Sequence, residues 1–222
     1  MTTKAPTPVH IDLVSDVACP WCAVGLWALE GALQQLQGEV SATIQPQPFE
    51  LNPNMGPEGE DIYEHLNRKY GRSRAELAQV QQTIAERGAA VGFAFRAEGR
   101  GRIWNTFDAH RLLHWATLEG TPGQALALKK ALLAAYHGRA ENPSDPAVLM
   151  AAVQAVGLDA DRARTVLQTG EFADAVRVQE AEWAGLGIRS VPAFIVNRKH
   201  LISGGQPPEV FVQALRQIAA EG

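Results

Sequence analysis

The 222-residue chain is 46% apolar and 20% charged, with a formal charge of −4. That composition can bury a sizeable core, as one elaborated domain or two small ones, and it lacks the positive field that a nucleic-acid backbone requires. Prolines and charged residues interrupt the opening MTTKAPTPVHIDLVSD, and no stretch reaches the roughly 18 apolar residues of a membrane span. The expectation is a soluble, cytoplasmic protein with no nucleic-acid or membrane partner.

Residues 9–17 (VHIDLVSDV) mix β-branched residues with alternating polar positions and predict a strand. The segment after Cys19 places Leu26, Leu29, Leu33 and Leu36 at helical spacing and stops near Gly38. Residues 42–51 (ATIQPQPFEL) predict a second strand, for which Pro46 and Pro48 argue an edge position or an interrupted ladder. The turn-rich loop NPNMGPEGED ends this first unit.

From about 62 to 187 the pattern is almost entirely helical. Ser73 with Glu76 forms a capping-box signature before a helix running to about Arg87. Apolar-periodic stretches follow from Thr106 to Leu118 and from about 124 to 137. Thr121-Pro122 and Asp145-Pro146 each offer an N-cap followed by proline in the first helical turn. Strand-like sequence returns at 191–196 (VPAFIV) and 200–204 (HLISG), separated by the turn Asn197-Arg198-Lys199, and a last helix spans roughly 207–220. The order is β-α-β, a long helical block, then β-β-α, with no internal repeat.

Both cysteines, Cys19 and Cys22, lie in one four-residue window. A bridge across two residues closes almost no loop, so structural stapling explains the pair poorly and thiol chemistry explains it better. The motif reads Cys19-Pro20-Trp21-Cys22 and falls between a predicted strand and a predicted helix. A helix N-terminus presents unpaired N–H groups and the positive end of the macrodipole, which favours a thiolate at Cys19. Pro20 fits the first helical turn, and Cys22, one turn on, is placed to resolve a mixed disulfide formed at Cys19. A C-x-x-C pair is also half of many zinc sites; His110 and His114 would complete a Cys2His2 set, although both also fit as flanks of the apolar Leu112-Leu113 face. An inert buried pair is the third alternative.

The cysteine turn after the first strand, the long helical insertion and a late Val191-Pro192-Ala193-Phe194 resemble the DsbA-like branch of thioredoxin-fold oxidoreductases, in particular its FrnE type. The resemblance covers nearly the whole chain. It implies a cis bond before Pro192 beside the active-site sulfurs, and a backbone edge at Val191 for an extended substrate segment. Weaker matches are Asn105 to Arg111, at the start of an insertion helix facing the cysteines with Asn105 as a substrate contact, and Gly204-Gly205-Gln206-Pro207 before the last helix. Ordinary capping and loop geometry is the alternative for both. Some relatives carry a second cysteine pair, and with two cysteines in total this chain has no such relay.

Other features are less specific. The basic stretch Arg96 to Arg102 (RAEGRGR) is either a solvated loop or a contact for an anionic ligand such as glutathione. Trp27, Trp104, Trp115 and Trp183 are expected as core anchors, and Trp21 as a partly exposed element of a docking surface. Asp16 is expected to cap the turn or shuttle a proton.

Together these readings predict an α/β thioredoxin-like fold formed by residues 1–60 and 188–222, with an all-helical insertion at 61–187 hanging over the cysteine turn. The expected activity is exchange of the Cys19/Cys22 dithiol with protein or peptide thiols and disulfides, without a metal or a bound organic cofactor. Glutathione or a thioredoxin-type reductant is the expected redox partner. The rival reading is a glutathione-dependent transferase or isomerase, of the kappa-class or 2-hydroxychromene-2-carboxylate isomerase type. Pro20-Trp21 carries no cation, so thiolate stabilisation is expected mainly from the helix terminus, giving a weaker oxidant than the strongest periplasmic ones.

Overall fold

A computed structural model describes residues 5–221; residues 1–4 and Gly222, the outer ends of the predicted thioredoxin-like segments, lie outside them. Strand β1 (Thr7–Ser15) runs parallel to β2 (Val40–Pro48), and helix α1 (Pro20–Gln35) connects the two. The chain then forms a two-residue strand β3 (Glu60–Asp61), helices α2 (Ile62–Tyr70) and α3 (Arg74–Ala90), and the equally short β4 (Arg102–Ile103), which pairs antiparallel with β3. Helices α4 (Phe107–Glu119) and α5 (Gln124–Leu133) follow, and α5 runs into a π-helical turn, Ala134–Gly138. After α6 (Pro146–Ala155), α7 (Ala160–Thr169) and α8 (Ala173–Gly185), the chain returns to the sheet as β5 (Ala193–Val196) and β6 (His200–Ser203) and closes with α9 (Pro208–Ala220).

The main sheet has the order β2-β1-β5-β6, with β5 antiparallel to both neighbours. The edge position expected for β2 is observed, and its prolines show why. Pro46 and Pro48 sit two residues apart, so the period of the strand directs both missing donors to one side, away from the ladder with β1.

Of the three buried hydrophobic clusters among the described residues, two are large. One packs Val9, Ile11 and Leu13 of β1 against Leu26 and Leu29 of α1, Phe194 of β5, and Phe211 and Leu215 of α9. The other joins Leu112 and Trp115 of α4, Leu128 and Leu132 of α5, Leu149 of α6 and Val166 of α7. Val17 and Ala18, immediately before the cysteines, belong to this second core. Among the described residues no helix is long and apolar enough to cross a membrane.

Most helix signals hold. Ser73 Oγ accepts the Glu76 N–H while Glu76 Oε2 accepts the Ser73 N–H, completing the capping box, and Asp145 accepts from the Ala147 N–H. Thr121 is not an N-cap. Gly123, at φ 89°, precedes α5, and the Thr121 N–H is taken by the Gln124 side chain instead. A left-handed residue after Pro122 makes this a turn before the helix. Of the tryptophans, Trp115 and Trp183 are buried; Trp27 and Trp104 are only half-buried, with Phe93 meeting Trp27 edge-on.

Gly25, on the face of α1 that meets the end of the sheet, has no room for a side chain. A Cβ there would lie 3.0 Å from Phe194 Cζ, 3.1 Å from Pro192 Cγ and 3.3 Å from Gly205 Cα. Gly25→Ala is expected to destabilise the fold by about 1–3 kcal/mol through overpacking, measured as a lower urea midpoint with an unchanged slope; a midpoint equal to that of the parent would contradict the packing described.

Candidate active site

Helix α1 begins where the sequence places it. Cys19 is its N-cap in extended conformation (ψ 115°), and Pro20 occupies the first helical position. Both thiols are free, and the two cysteines lie 3.5 Å apart. The Val191-Pro192 bond is cis. The Cys19 Sγ–H points at the Val191 carbonyl oxygen, 3.6 Å away. The Gly204 N–H donates to the Pro192 carbonyl at 2.8 Å, and a Cβ at Gly205 would lie 3.1 Å from the Trp21 ring. The segments around Pro192 and Gly204 therefore meet the cysteine turn, and Trp21 and Pro20 are half-buried at its rim.

The two thiols differ sharply. A side-chain hydrogen bond from Cys22 holds the Cys19 thiol below its ordinary value, against the opposing effects of burial and the Asp16 charge. Burial pushes the Cys22 thiol well up, and the adjacent Cys19 adds to the shift. The amides of Trp21 and Cys22, the first N–H groups of α1, contribute to lowering Cys19 but rank behind the Cys22 thiol. The helix terminus is thus a secondary stabiliser, because the neighbouring S–H is a closer donor than the dipole expected to dominate.

The turn is also braced by donors from distant side chains, two of them cationic, Arg100 and Lys129. Arg100 Nη1 donates to the Ala18 carbonyl at 2.7 Å, Lys129 Nζ to the Ser15 carbonyl at 3.1 Å, and His137 Nε2 to the Val17 carbonyl at 2.8 Å. All three come from the residues between α2 and α6. Sequence reading missed Lys129 and His137, since each sits in an apolar helical stretch whose periodicity says nothing about what it faces. The stretch Arg96 to Arg102 is no simple solvated loop: Arg100 braces the cysteine turn and lies over the Tyr136 ring, and Arg102 Nη2 donates to the Glu58 and Gly59 carbonyls.

Asp16 is buried beneath the turn. Its Oδ1 accepts from the Ala18 N–H (3.0 Å) and Thr106 Oγ1 (2.8 Å) and lies 3.4 Å from His110 Nε2, while Oδ2 accepts from the Leu51 N–H (2.7 Å). Burial works to raise this carboxyl, but the hydrogen bond and charge of His110, with the Leu51 and Ala18 amides, bring it down to about 2. Asp16 is therefore an anchor for the turn, of which capping is one part. Beside Leu51, burial and the Glu180 charge raise the Glu50 carboxyl to about 7, although Arg177 is paired with it.

His110 is thus committed to Asp16, and His114 Nδ1 contacts Gln179 at 3.0 Å. Asn105 has both polar groups engaged inside the protein: Oδ1 accepts the Phe107 N–H at the start of α4, and Nδ2 donates to the Met55 carbonyl. Beside Pro20 opens a cleft of about 820 Å³, lined among others by Tyr63, Leu77, Phe95, Arg96, Arg100 and His137.

A free dithiol at a helix start, facing a cis-proline turn on a four-stranded sheet, defines a thioredoxin-fold redox protein. The chain belongs to the DsbA-like thiol oxidoreductases: the DSBA-like thioredoxin domain matches residues 10–216. A solved structure of a probable DsbA oxidoreductase from Streptomyces coelicolor is 34% identical, covers 96% of this chain and 91% of its own, and superposes with a TM-score of 0.85. The uncharacterized protein YwbO of Bacillus subtilis is 25% identical over 208 residues, 93% of this chain and 96% of its own length. A 2-hydroxychromene-2-carboxylate isomerase structure shares the fold alone, at 15% identity and a TM-score of 0.69 over 96% of this chain and 97% of its own.

The Asp16 carboxyl, at about 2 in the fold against an ordinary 3.8, ties stability to acid. Its contribution is fully present above 3.8 and is lost as pH falls through 2, a difference of about 2 kcal/mol. Urea titrations between pH 2 and 6 are expected to show this loss, and Asp16→Asn to be less stable at pH 6 with a flatter acid limb. Equal acid sensitivity in both proteins would exclude Asp16 as its source.

Proposed function

We propose that the chain is a FrnE-type protein disulfide oxidoreductase whose Cys19/Cys22 pair exchanges with protein or peptide thiols through a mixed disulfide. The opposed shifts of the two thiols carry this reading. The thiol with the lowered value at the helix start suits attack, and the buried thiol with the raised value suits resolution.

In the reducing direction, the Cys19 thiolate attacks a substrate disulfide, forming the Cys19–substrate bond and releasing one substrate sulfur as a thiol. Cys22 then attacks Cys19 Sγ, releasing the second substrate thiol and leaving the Cys19–Cys22 disulfide. Reversal oxidises a substrate dithiol. Val191 offers its carbonyl, and Trp21 and Pro20 their half-buried faces, to the segment flanking the reacting sulfur, while Asn105 acts through the placement of α4. Glutathione or a thioredoxin-type protein returns the electrons in a cytoplasmic setting, and no metal or bound organic cofactor takes part.

The arginine-bearing cleft beside Pro20 and the fold shared with the isomerase favour one second reading, a glutathione-dependent isomerase or transferase. Mutants separate the two. Cys19→Ser is expected to abolish insulin-disulfide reduction, and Cys22→Ser to accumulate a mixed disulfide visible by mass spectrometry; full activity of Cys22→Ser with an absolute need for free glutathione would establish the second reading instead.

The thiolate is shared among a neighbouring S–H, two amides and burial that opposes them. The reduction potential, measured by equilibration with glutathione, is therefore expected to lie below the roughly −120 mV of the most oxidising relatives. A value at or above that would show a reduced form more stabilised than these contacts explain.

A further inference from the structure

Lys129 is fully buried on α5, and the only hydrogen bond its Nζ makes among the described residues is the one to the Ser15 carbonyl. Two of its three N–H groups are left over. Among the described residues no carboxylate lies within ion-pair distance of this Nζ. An ammonium so placed is costly to bury, and an apolar side chain of similar length would fill the space more cheaply. The groups that face it electrostatically are Cys22, Asp16 and Cys19, with His137 also in its field. Asp16 already has four partners of its own. His137 is held neutral by burial, and Arg100 is spent on the Ala18 carbonyl and the Tyr136 face. The dithiol is what remains for this charge to serve.

We propose that Lys129 is a positioning residue of the dithiol centre, an ammonium supplied by the inserted helices that stabilises the Cys22 thiolate as the mixed disulfide is resolved. The inference rests on the exchange reading above and deepens it. In the resolving step the Cys22 S–H gives its proton to the buffer, and the thiolate attacks Cys19 Sγ. The Cys19–substrate S–S bond breaks, and its electron pair leaves on the substrate sulfur, which takes a proton from water. The dithiol loses two electrons and the substrate disulfide gains the same two. Lys129 exchanges no proton in this sequence; its charge lowers the cost of the buried thiolate. Lys129 and Cys22 meet at one peptide unit: its Ser15 carbonyl accepts from Lys129 Nζ, and its Asp16 amide donates to Cys22; the Lys129 charge works against the effect of burial on Cys22.

The test compares the parent with Lys129→Gln, which keeps a donor for the Ser15 carbonyl, and Lys129→Met, which does not. Each protein is loaded with glutathione on Cys19, and glutathione release is followed from pH 5 to 10. Both variants are expected to resolve about tenfold more slowly at pH 7, with the pH profile displaced by about one unit to the alkaline side. Alkylation of Cys19 in a Cys22→Ser background should change much less. Folded variants with the parental rate and profile overturn the proposal. Should neither variant fold, the parent decides alone. Lys129 Nζ, followed by NMR, is expected to titrate lower in the oxidised than in the reduced protein, because the disulfide removes the Cys22 charge, and identical titration in the two forms overturns it. A parent that reacts with glutathione disulfide but is insensitive at Lys129 defeats this inference alone, whereas a parent that never forms or resolves the adduct defeats the exchange reading and this inference with it.

Discussion

The segment Ser15–Ala18 is the constraint on which the site depends. It must end the central strand and deliver Cys19 to a helix start within four residues, in a fully buried position where each polar group needs a partner. The donors come from elsewhere in the chain: Lys129 for Ser15, Thr106 and His110 for Asp16, His137 for Val17 and Arg100 for Ala18. The apolar side chains of Val17 and Ala18 enter the helical core as well. The inserted helices therefore do more than overhang the dithiol. They supply the floor on which it stands, and the sheet supplies the wall opposite, through Val191 and Pro192.

This division explains how one short motif can hold two unlike thiols. Cys19 caps a helix and borrows a proton donor from its neighbour, so its charged form is supported locally. Cys22, inside α1 at 1% exposure, has only the Asp16 amide as local support and looks inward to the charge of Lys129. The same turn thus combines a surface problem, meeting a substrate, with an interior one, stabilising an anion away from water.

Much of this architecture was legible in the sequence. The strand-turn-helix around the cysteines, the capping box at Ser73, the edge character of β2 and the late strand pair all follow from local chemistry, and the cis bond at Pro192 followed from family resemblance. What escaped reading was long-range or too short to be periodic. The β3–β4 ladder has two residues a side and no period to detect. The π turn at Ala134–Gly138 looks like ordinary helix in composition. Lys129 and His137 differ from solvent-facing residues only in what surrounds them, and the positions they serve lie more than 110 residues away. Asp16 reads as a cap because its partner nearest in sequence is Ala18, and its distant ones, Leu51, Thr106 and His110, appear only once the chain is folded.

The strand order carries a consequence for the birth of the protein. Strand β1 leaves the ribosome well before its partner β5 (Ala193–Val196), with α1 to α8 made in between. Until those residues arrive, the central strand has one side unpaired, and the fold is closed by contacts of great sequence separation, the kind that form slowly. Until then Cys19 and Cys22 also lack Val191, and until α5 is made they lack Lys129. A nascent dithiol is then no more than two ordinary thiols, and the site is complete only once the segment that brings Val191 and Pro192 has been made.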